Sequence, residues 1–574
     1  MNFMSCQKLN IRASSIYISI EIAFSCFFVL GVRFFYFSAL SVPFFWFGYL
    51  TLSLLTILSI SSKSSVGQKL LSVFVYSLSI HFIVPLIQPV GVPLDHDALY
   101  TVQAVRAVQK GHWIPGQGTG DANLYSLYPI LLLTEVFLCH VTGVDVFILQ
   151  QFLMLIFSPV FLMGMFLFIK KTTGDSDLAI ISTFFFATNP IINAMTSKTA
   201  YQGLGYVFVS LVLLLFSFKS KKGVFLFLVF STVLAMTHHL SSYNAIFFLI
   251  VVTFCVGILK TKSTNFNMQT NNGKLLFLII VVASWTMLVA VSMASGYINV
   301  ISALLQGSLH LQTAMAGELT GSFVGESASL IDKFFEYLGV AVVVCFGLLG
   351  SIASLTRRVK FEVYMFLVGI GISLLSFFVL PWQVFGGSRE LRSRVLDWAY
   401  LYLVPATVIG AIWFKDSVLQ RIGKSGLYIF VLVLLLLTPA TILAGLPKLY
   451  YTGSSPLERS NFGLVDGSKW LATAKWISQF IPVKTVIWSG GVGENYISGA
   501  YGRVTEPFEY FFDQFSSYSS GAVVIHNLMI SIGGLSYNLT LADLQRIQAR
   551  LNCVYNDGPI GIYTRRTPGP GGDL

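Results

Sequence analysis

The first group of residues with chemical potential is Asp95-His96-Asp97, which directly follows an apolar run that ends near residue 88. A carboxylate beside lipid is costly unless it is solvated or paired, so acids kept at such a place are candidates for a function. A carboxylate can act there as a general base or as a metal ligand. The alternative is an ordinary solvated loop.

A second group, His238 and His239, lies in the run Thr237 to Tyr243 at the end of another apolar stretch. Neighbouring side chains on a helix diverge by about 100°. We therefore expect one imidazole to face a cavity and the other to pack. An imidazole in the cavity could shuttle protons, contact a substrate or serve as a ligand. The alternative is a helix end whose polar residues reach toward the membrane surface.

The third group is Arg389, Arg392 and Arg394, which lie within six positions of each other just before a later apolar run. Guanidinium groups bind phosphate oxygens through two parallel hydrogen bonds. The cluster therefore predicts a binding site for a phosphate at the level of the lipid headgroups. The alternative is that these side chains anchor the helix by snorkelling to the headgroups.

The elements that position these groups are membrane helices. The chain has 574 residues, of which 55% are hydrophobic and 11% are charged, and its mean hydropathy is +0.75. This composition lies outside the range of soluble domains. The net charge of +11 does not indicate nucleic-acid binding, because the basic residues fall in short loops between apolar runs, as they do in membrane proteins. No Walker motif, dinucleotide fingerprint, CxxC pair or HExxH motif is present.

Apolar runs long enough to cross a bilayer recur along the chain, and they predict an α-helical polytopic membrane protein with about 13 spans. The predicted spans lie near residues 14 to 37, 42 to 60, 69 to 88, 146 to 169, 178 to 196, 203 to 219, 223 to 238, 243 to 260, 274 to 294, 337 to 355, 361 to 380, 396 to 414 and 426 to 446.

The segment Tyr128 to Thr142 is apolar but too short to span, so we predict that it is interfacial or re-entrant. With the N-terminus in the cytoplasm, 18 basic residues then fall in inner loops and 8 in outer loops, while the other 10 of the 36 follow the last span. This bias favours the predicted orientation over its mirror image. We therefore expect a multi-pass protein of the cell membrane whose C-terminal domain is extracytoplasmic.

The predicted domains are N-terminal spans at 1–90, a first outer loop at 91–145, a membrane core at 146–448, an α/β domain at 449–567 and a flexible tail at 568–574. In the α/β domain we predict helices at Lys469 to Phe480 and Leu541 to Leu551. Strands are predicted at Val483 to Trp488 and Val523 to Asn527, and a closing hairpin at Asn552 to Tyr563. The segment Gly490 to Phe512 could contact an acceptor or form a solvated surface.

The first outer loop carries a further resemblance. An acidic residue after a span is followed by an amphipathic helix at Tyr100 to Gln109, by Gly111-His112-Trp113, and by Tyr128-Pro129 before a short apolar helix. This order resembles the first outer loop of the GT-C superfamily of membrane glycosyltransferases. It is most similar to the types that use polyprenyl-phosphate sugars, such as protein mannosyltransferases and aminoarabinose transferases. The Trp-Trp-Asp signature of oligosaccharyltransferases is absent.

The resemblance implies that the acidic residue of this loop is the catalytic base or a metal-binding residue. The match falls on Asp95 or Asp97, and we favour Asp97. It implies a polyprenyl-phosphate-linked sugar as donor, with the three arginines on the lipid phosphate. It also implies a glycan, protein or lipid as acceptor on the outer face. We assign His112, Tyr128, His238 and His239 to substrate contacts.

No cofactor is required by this account, and a divalent metal ion is left open. Two rival functions remain at the level of sequence. The first is a transporter or flippase for a lipid-linked or small solute, in which the arginines would attract an anionic headgroup and the histidines would shuttle protons. Against it, we find no internal repeat of the kind that many transporters show. The second is a non-catalytic scaffold of the cell envelope.

Overall fold

The computed structural model describes residues 2–35, 41–62, 64–87, 96–111, 126–188, 201–262, 272–291, 342–353, 389–417, 467–489, 497, 501, 505–507, 521–526, 545, 547, 551–556 and 560–565. Its helices are α1 Asn2–Phe35, α2 Ser41–Ser61, α3 Val66–Ile87, α4 His96–Gln109, α5 Pro129–Thr142, α6 Val146–Thr173, α7 Ser176–Thr188, α8 Tyr201–Phe216, α9 Lys221–Ala235, α10 His239–Lys262, α11 Asn272–Leu288, α12 Val342–Ala353, α13 Arg389–Ser417 and α14 Gly467–Phe480. Its strands are β1 Val486–Ser489, β2 Thr505–Pro507, β3 Gly521–His526, β4 Leu551–Asn556 and β5 Ile560–Arg565.

The chain divides into two compact units. The first unit consists of Met1–Ile83, Met154–Ser197 and Tyr201–Pro447. The second unit consists of Val84–Leu153, Lys198–Ala200 and Lys448–Leu574, so it contains both the first outer loop and the C-terminal domain.

Several helices are apolar enough for a bilayer. Among the described residues, four helical segments are also long enough to cross one: Ile16–Phe34, Pro43–Ser61, Val66–Ile83 and Val146–Thr173. Shorter apolar helices lie at the predicted spans 178 to 196, 203 to 219, 243 to 260, 274 to 294, 337 to 355 and 396 to 414. The predicted spans at 361 to 380 and 426 to 446 lie outside the described residues. The number of about 13 stays a prediction.

An ion pair relates two loops of the first unit. Lys69 Nζ, at the start of α3, lies 3.0 Å from Asp177 Oδ1 at the start of α7. Both helices therefore begin on the same side. Only an even number of spanning segments can separate them along the chain, and α3 and α6 supply two. The pair thus agrees with a short α5 that does not span.

Two further cation contacts place another pair of loops on that side. Lys171 Nζ, at the end of α6, lies 4.2 Å from the centroid of the Phe218 ring, between α8 and α9. Lys274, at the start of α11, donates to the carbonyl oxygens of Leu215 (2.8 Å) and Phe218 (2.5 Å). Its ammonium thereby satisfies carbonyls that the end of α8 leaves without helical partners. The end of α6, the connection from α8 to α9 and the beginning of α11 therefore lie close together.

The three N-terminal helices are joined by a buried carboxylate. Glu21 of α1 is 1% exposed and accepts a hydrogen bond of 2.6 Å from Thr56 Oγ1 of α2. Its other oxygen accepts from Ser72 Oγ of α3. Polar groups inside a bilayer have no water to bond, so interhelical hydrogen bonds of this kind hold spans together.

Small residues bring α12 and α13 into backbone contact. A Cβ atom on Gly350 would overlap the carbonyl of Ala406, and one on Gly410 would overlap that of Phe346. Thr407 Oγ1 also donates to the Val343 carbonyl at 3.1 Å. Close packing through glycines is typical of membrane helices. These contacts fix the part of α13 around Ala406 and Gly410, which follows the arginine cluster.

The C-terminal domain contains a mixed five-stranded sheet in the order β2-β1-β3-β5-β4. β1 pairs in parallel with β2 and β3, whereas β5 pairs antiparallel with β3 and β4. The helix α14 packs against β5. The predicted α/β class, the helix near Lys469 to Phe480 and the closing hairpin are confirmed.

Two predicted boundaries in this domain are wrong. The first strand begins at Val486 rather than Val483, because Pro482 to Thr485 form a turn in which Thr485 N–H donates to the Pro482 carbonyl at 3.0 Å. The predicted second helix cannot reach Leu551, since Leu551 pairs with Arg565 as the first residue of β4. An apolar run of this length does not distinguish helix from strand by periodicity alone.

The alternation of helices can be tested with single cysteines placed at the exposed residues Ser65, Lys222 and Val144 in a chain whose six native cysteines are replaced. A membrane-impermeant maleimide should label the substitutions at Ser65 and Lys222 from one face, predicted to be cytoplasmic, because an even number of spans separates them. The substitution at Val144 should react only from the other face, because α6 lies between it and the Lys171 loop. Labelling of Val144 and Lys222 from one face would contradict this topology.

Candidate functional site

The helix α4 carries the favoured candidate base. Asp97 is its second residue, and a carboxylate in the first turn of a helix is stabilised by the helix dipole. Asp95 and His112 lie outside the described residues, and of Asp97 the structure describes the backbone. The position of the Asp97 backbone is therefore set by α4 and by the elements that α4 packs against.

α4 packs against α5. Its residues Leu99, Val102 and Val105 are buried at helical spacing. Tyr128, one of the predicted substrate contacts, is 3% exposed at the N-cap of α5, and Pro129 follows it at the first helical position. The structure thus brings the helix of Asp97 and the Tyr128-Pro129 pair into the same compact unit.

The helix α5 exposes apolar side chains and buries a carboxyl, which is the reverse of a helix on the surface of a water-soluble protein. Leu133, Phe137 and Val141 form an exposed apolar stripe, whereas the carboxyl of Glu135 lies on the buried face. An apolar outer face fits a helix that lies against lipid rather than water. The length of 14 residues is too short to span a bilayer. Both features support the prediction that the segment is interfacial.

Glu135 is completely buried and has one side-chain partner. Gln150 Nε2 donates to its Oε2 at 3.1 Å, while its Oε1 has no hydrogen-bond partner. Burial is the main cause that raises the pKa of Glu135 to about 8, and the bond from Gln150 opposes it. The carboxyl therefore stays protonated near neutral pH, since a lone carboxylate would be costly there. The sequence pattern alone did not single out Glu135.

The neighbouring Gln151 fixes the exit from the third span. Its Nε2 donates to the carbonyl of Pro85 at 2.6 Å, near the end of α3. This carbonyl belongs to the last turn, whose oxygens lack helical partners. Because Asp95 and Asp97 follow Pro85 by ten and twelve residues, the bond anchors the base of the segment that carries them.

Arg106, near the end of α4, was not singled out by sequence analysis. Its guanidinium carbon lies 4.9 Å from the centroid of the Phe147 ring and 5.3 Å from that of Tyr501. Phe147 lies in the first turn of α6, and Tyr501 belongs to the C-terminal domain. Burial raises the pKa of the Tyr501 phenol, while the charge and hydrogen bond of Arg106 lower it and Asp145 raises it. No local motif marks this contact, because its partners are far apart in sequence.

The histidine pair differs from the sequence prediction. The two residues lie at the beginning of α10 rather than at the end of α9, since α9 ends at Ala235 and α10 begins at His239. Both rings are buried, and their centroids are 4.9 Å apart. The prediction assumed helical geometry for His238, whereas a turn precedes α10.

His238 caps the helix that follows it. Its Nδ1 accepts from the Ser241 N–H at 3.2 Å and lies 2.8 Å from Ser241 Oγ. An imidazole nitrogen that accepts a backbone N–H carries no proton, so the neutral ring holds its proton on Nε2. Gly205 of α8 permits this arrangement, because a Cβ there would overlap Ser241 Oγ. The position of His238 is thus explained by capping, and its predicted substrate contact stays a prediction.

The three arginines lie at the beginning of α13. Arg389 is its first residue, and Arg392 and Arg394 belong to its first two turns. The structure describes their backbone. The N-terminal end of a helix carries free N–H groups and a partial positive charge, so cations there are unfavourable unless an anion is bound nearby. The placement therefore combines two features that attract anions.

The helix of the arginines also contacts the helix of the histidines. The rings of Phe248 in α10 and Tyr402 in α13 stack with centroids 4.0 Å apart and planes inclined by 11°. The first unit therefore contains both predicted groups on helices that touch, while Asp97 and Tyr128 belong to the second unit. Within the described part of the chain, no group of three or more His, Cys, Asp and Glu side chains is arranged to hold a metal ion.

The architecture is similar to that of solved membrane glycosyltransferases. ArnT from Cupriavidus metallidurans, solved with undecaprenyl phosphate, matches with a TM-score of 0.50 and 9% identity over 88% of this chain and 100% of its own. The mycobacterial arabinofuranosyltransferase AftD matches with a TM-score of 0.52 and 13% identity over 88% of this chain, which spans 40% of that protein. The oligosaccharyltransferase of Archaeoglobus fulgidus gives a TM-score of 0.47 and 11% identity, over 80% of this chain and 69% of its own.

No family model matches the sequence, and no curated protein matches it. The similarity therefore lies in the fold. The chain has the fold of the GT-C membrane glycosyltransferases, with a small C-terminal sheet, and it is a multi-pass membrane protein. The resemblance inferred from the first outer loop is confirmed at this level.

The protonated state of Glu135 makes a prediction about pH. Its pKa in the folded chain, about 8, lies above the ordinary value of 4.5. The protonated acid therefore stabilises the fold at low pH, and that stability is lost as the pH rises from about 4.5 to about 8. Glu135→Gln keeps the shape of the side chain without the titration. We expect the thermal midpoint of Glu135→Gln to rise relative to that of the natural chain across this interval. Above the interval, the difference between the two midpoints should stay constant.

The matched control is Asp177→Asn, which removes an exposed carboxylate. Thermal midpoints of all three proteins in one detergent, measured from pH 5 to pH 9, check the prediction. A constant difference between the natural chain and Glu135→Gln would contradict it.

Proposed function

We propose that this protein transfers a sugar from a polyprenyl phosphate of the dolichyl type to an acceptor on the extracytoplasmic face of the membrane. The observation that carries the proposal is the fold match to ArnT over nearly the whole of both chains, since that enzyme was solved with a polyprenyl phosphate bound. The low identity means that the roles of individual residues rest on their chemistry and placement in this chain.

Asp97 is the proposed general base. It would remove the proton from the acceptor hydroxyl as the oxygen attacks the anomeric carbon of the sugar. The bond from the anomeric carbon to the phosphate oxygen breaks, and polyprenyl phosphate leaves with the electron pair. Asp95 is the alternative base. The location of Asp97 at the start of α4, just beyond the third span, supports this role.

Arg389, Arg392 and Arg394 are the proposed ligands of the lipid phosphate. Negative charge develops on the leaving phosphate, and fixed cations at that position stabilise the transition state. The N-terminal end of α13 adds its own positive dipole to theirs. Under the predicted topology, α13 and α10 both begin on the outer face, at the level of the headgroups.

The stacking of Phe248 on Tyr402 supports a common level for the histidines and arginines. Phe248 lies nine residues after His239, and Tyr402 lies thirteen after Arg389. At 1.5 Å per residue these are distances of about 14 Å and about 20 Å along the helices. With both helices running inward, the arginines would lie within about 6 Å of the histidine level along the membrane normal. His238, His239 and Tyr128 are then proposed to contact the sugar or the acceptor.

The proposal is tested by measuring release of polyprenyl phosphate from a panel of labelled polyprenyl-phosphate hexoses and pentoses by the purified chain in nanodiscs, with native membranes as the source of acceptor. Asp97→Asn should lower turnover by about 10²-fold or more, because a general base contributes on that scale. Arg389→Ala combined with Arg392→Ala should lower both turnover and apparent donor affinity. Asp95→Asn should have the smaller effect of the two aspartate variants.

Matched controls remove equal charge from the opposite loops: Asp177→Asn for the aspartates, and Lys221→Ala with Lys222→Ala for the arginines. Each should retain the natural turnover. Undiminished turnover in the two aspartate variants and in the arginine double variant would remove the proposal. Release of a transported solute without cleavage of the donor would favour a transporter instead.

A further inference from the structure

The contact of Arg106 with two aromatic rings links three parts of the second unit. α4 contributes the guanidinium, the first turn of α6 contributes Phe147, and the C-terminal domain contributes Tyr501. A guanidinium over an aromatic face is attracted by the ring quadrupole, and the attraction strengthens where the group is partly desolvated. Two rings at 4.9 and 5.3 Å hold the cation more specifically than one ring would.

The partners of Arg106 are themselves fixed. Asp145 caps α6, since its Oδ1 accepts from the Phe147 N–H at 2.9 Å, and this sets the position of the Phe147 ring. Arg106 also lowers the pKa of the Tyr501 phenol, so its charge acts on the hydroxyl as well as on the ring. Arg106 is therefore held between two aromatic rings.

Arg106 and Asp97 lie on the same helix. They are separated by nine residues, or about 14 Å along the axis. α4 has no Gly or Pro between them, so a shift of the Arg106 end moves the whole helix. An error of about 1 Å in the position of a reacting group can cost about 10²-fold in rate.

We propose that Arg106 is a positioning residue, through which the C-terminal domain and α6 set the location of the candidate base on α4. This inference rests on the proposed function, in which Asp97 takes the acceptor proton. It assigns the C-terminal domain a role in turnover rather than in acceptor capture alone. Arginine is required over lysine, because the broad planar guanidinium can lie against two rings at once, whereas an ammonium is a compact, strongly hydrated point charge.

The test uses the full chain in nanodiscs and separates kcat from the KM for a polyprenyl-phosphate sugar. Arg106→Lys keeps the charge and should lower kcat by 10-fold or more, with a KM for the donor within 2-fold of the natural value. Tyr501→Phe keeps the ring and removes the hydroxyl, and it should give an intermediate loss. Lys110→Ala, an exposed cation one turn further along the chain, should leave both constants unchanged.

Chemical rescue distinguishes positioning from simple filling of space. Arg106→Ala leaves a gap between the two rings, and methylguanidinium can enter it. Because the free cation is not joined to α4, it should not restore kcat. Recovery of kcat with methylguanidinium, or a natural kcat in Arg106→Lys, would overturn the proposal.

A second measurement does not depend on activity. Hydrogen exchange of the amides of residues 96–109 should be faster in Arg106→Lys than in Lys110→Ala, while α7 and α13 exchange at the same rate in both. Unchanged exchange in α4 would also overturn the proposal. If Asp97→Asn keeps its activity, the proposed function fails, and hydrogen exchange still decides whether Arg106 holds α4. If Asp97→Asn is inactive and Arg106→Lys fully active, the function stands and the positioning role fails.

Discussion

The structure depends on the cost of placing charge in a medium without water. Spans therefore consist of apolar residues, and ionisable groups are held at helix ends or paired inside. Lys274 satisfies the carbonyls at the end of α8, and Glu21 binds hydroxyls of two neighbouring helices. Arg389 at the beginning of α13 and Asp97 at the beginning of α4 lie at such ends too.

The same constraint explains what could be predicted from the sequence. Long apolar runs specify membrane helices, since no other backbone arrangement satisfies its hydrogen bonds in lipid. Helices near most of the predicted spans and the short α5 were predicted for this reason, whereas the closing hairpin of the C-terminal domain was predicted from strand and turn signals. The GT-C fold was inferred from a few residues of the first outer loop, between Asp95 and Pro129.

What the sequence did not predict depends on contacts between distant residues or on local turns. Arg106 was counted only as an outer basic residue, because Phe147 and Tyr501 are 41 and 395 positions away. The prediction that His238 and His239 lie on one helix was wrong, because a turn between α9 and α10 is not visible in an apolar pattern. The protonated Glu135 follows from burial on the inner face of α5, which periodicity alone does not assign in a helix that is apolar on both sides.

Three sets of contacts hold the described elements of the second unit in place. The exit of α3 is anchored by Gln151, the interfacial helix by Glu135 and Gln150, and α4 by Arg106. Each of these contacts joins a described part of the second unit to a neighbouring element. Under the proposed function, the accuracy with which Asp97 is placed would depend on this packing.

The central proposal is that the arginines at the beginning of α13 bind a polyprenyl phosphate, and photo-crosslinking tests it most directly. A polyprenyl phosphate with a photoreactive group on the isoprene unit next to the phosphate is irradiated with the full chain in nanodiscs, and the modified peptides are identified by mass spectrometry. The account predicts modification of residues 389–394, with loss of that modification when Arg389 and Arg392 are replaced by Ala. Modification confined to the loops near Lys171 and Lys222, on the opposite face, would contradict it.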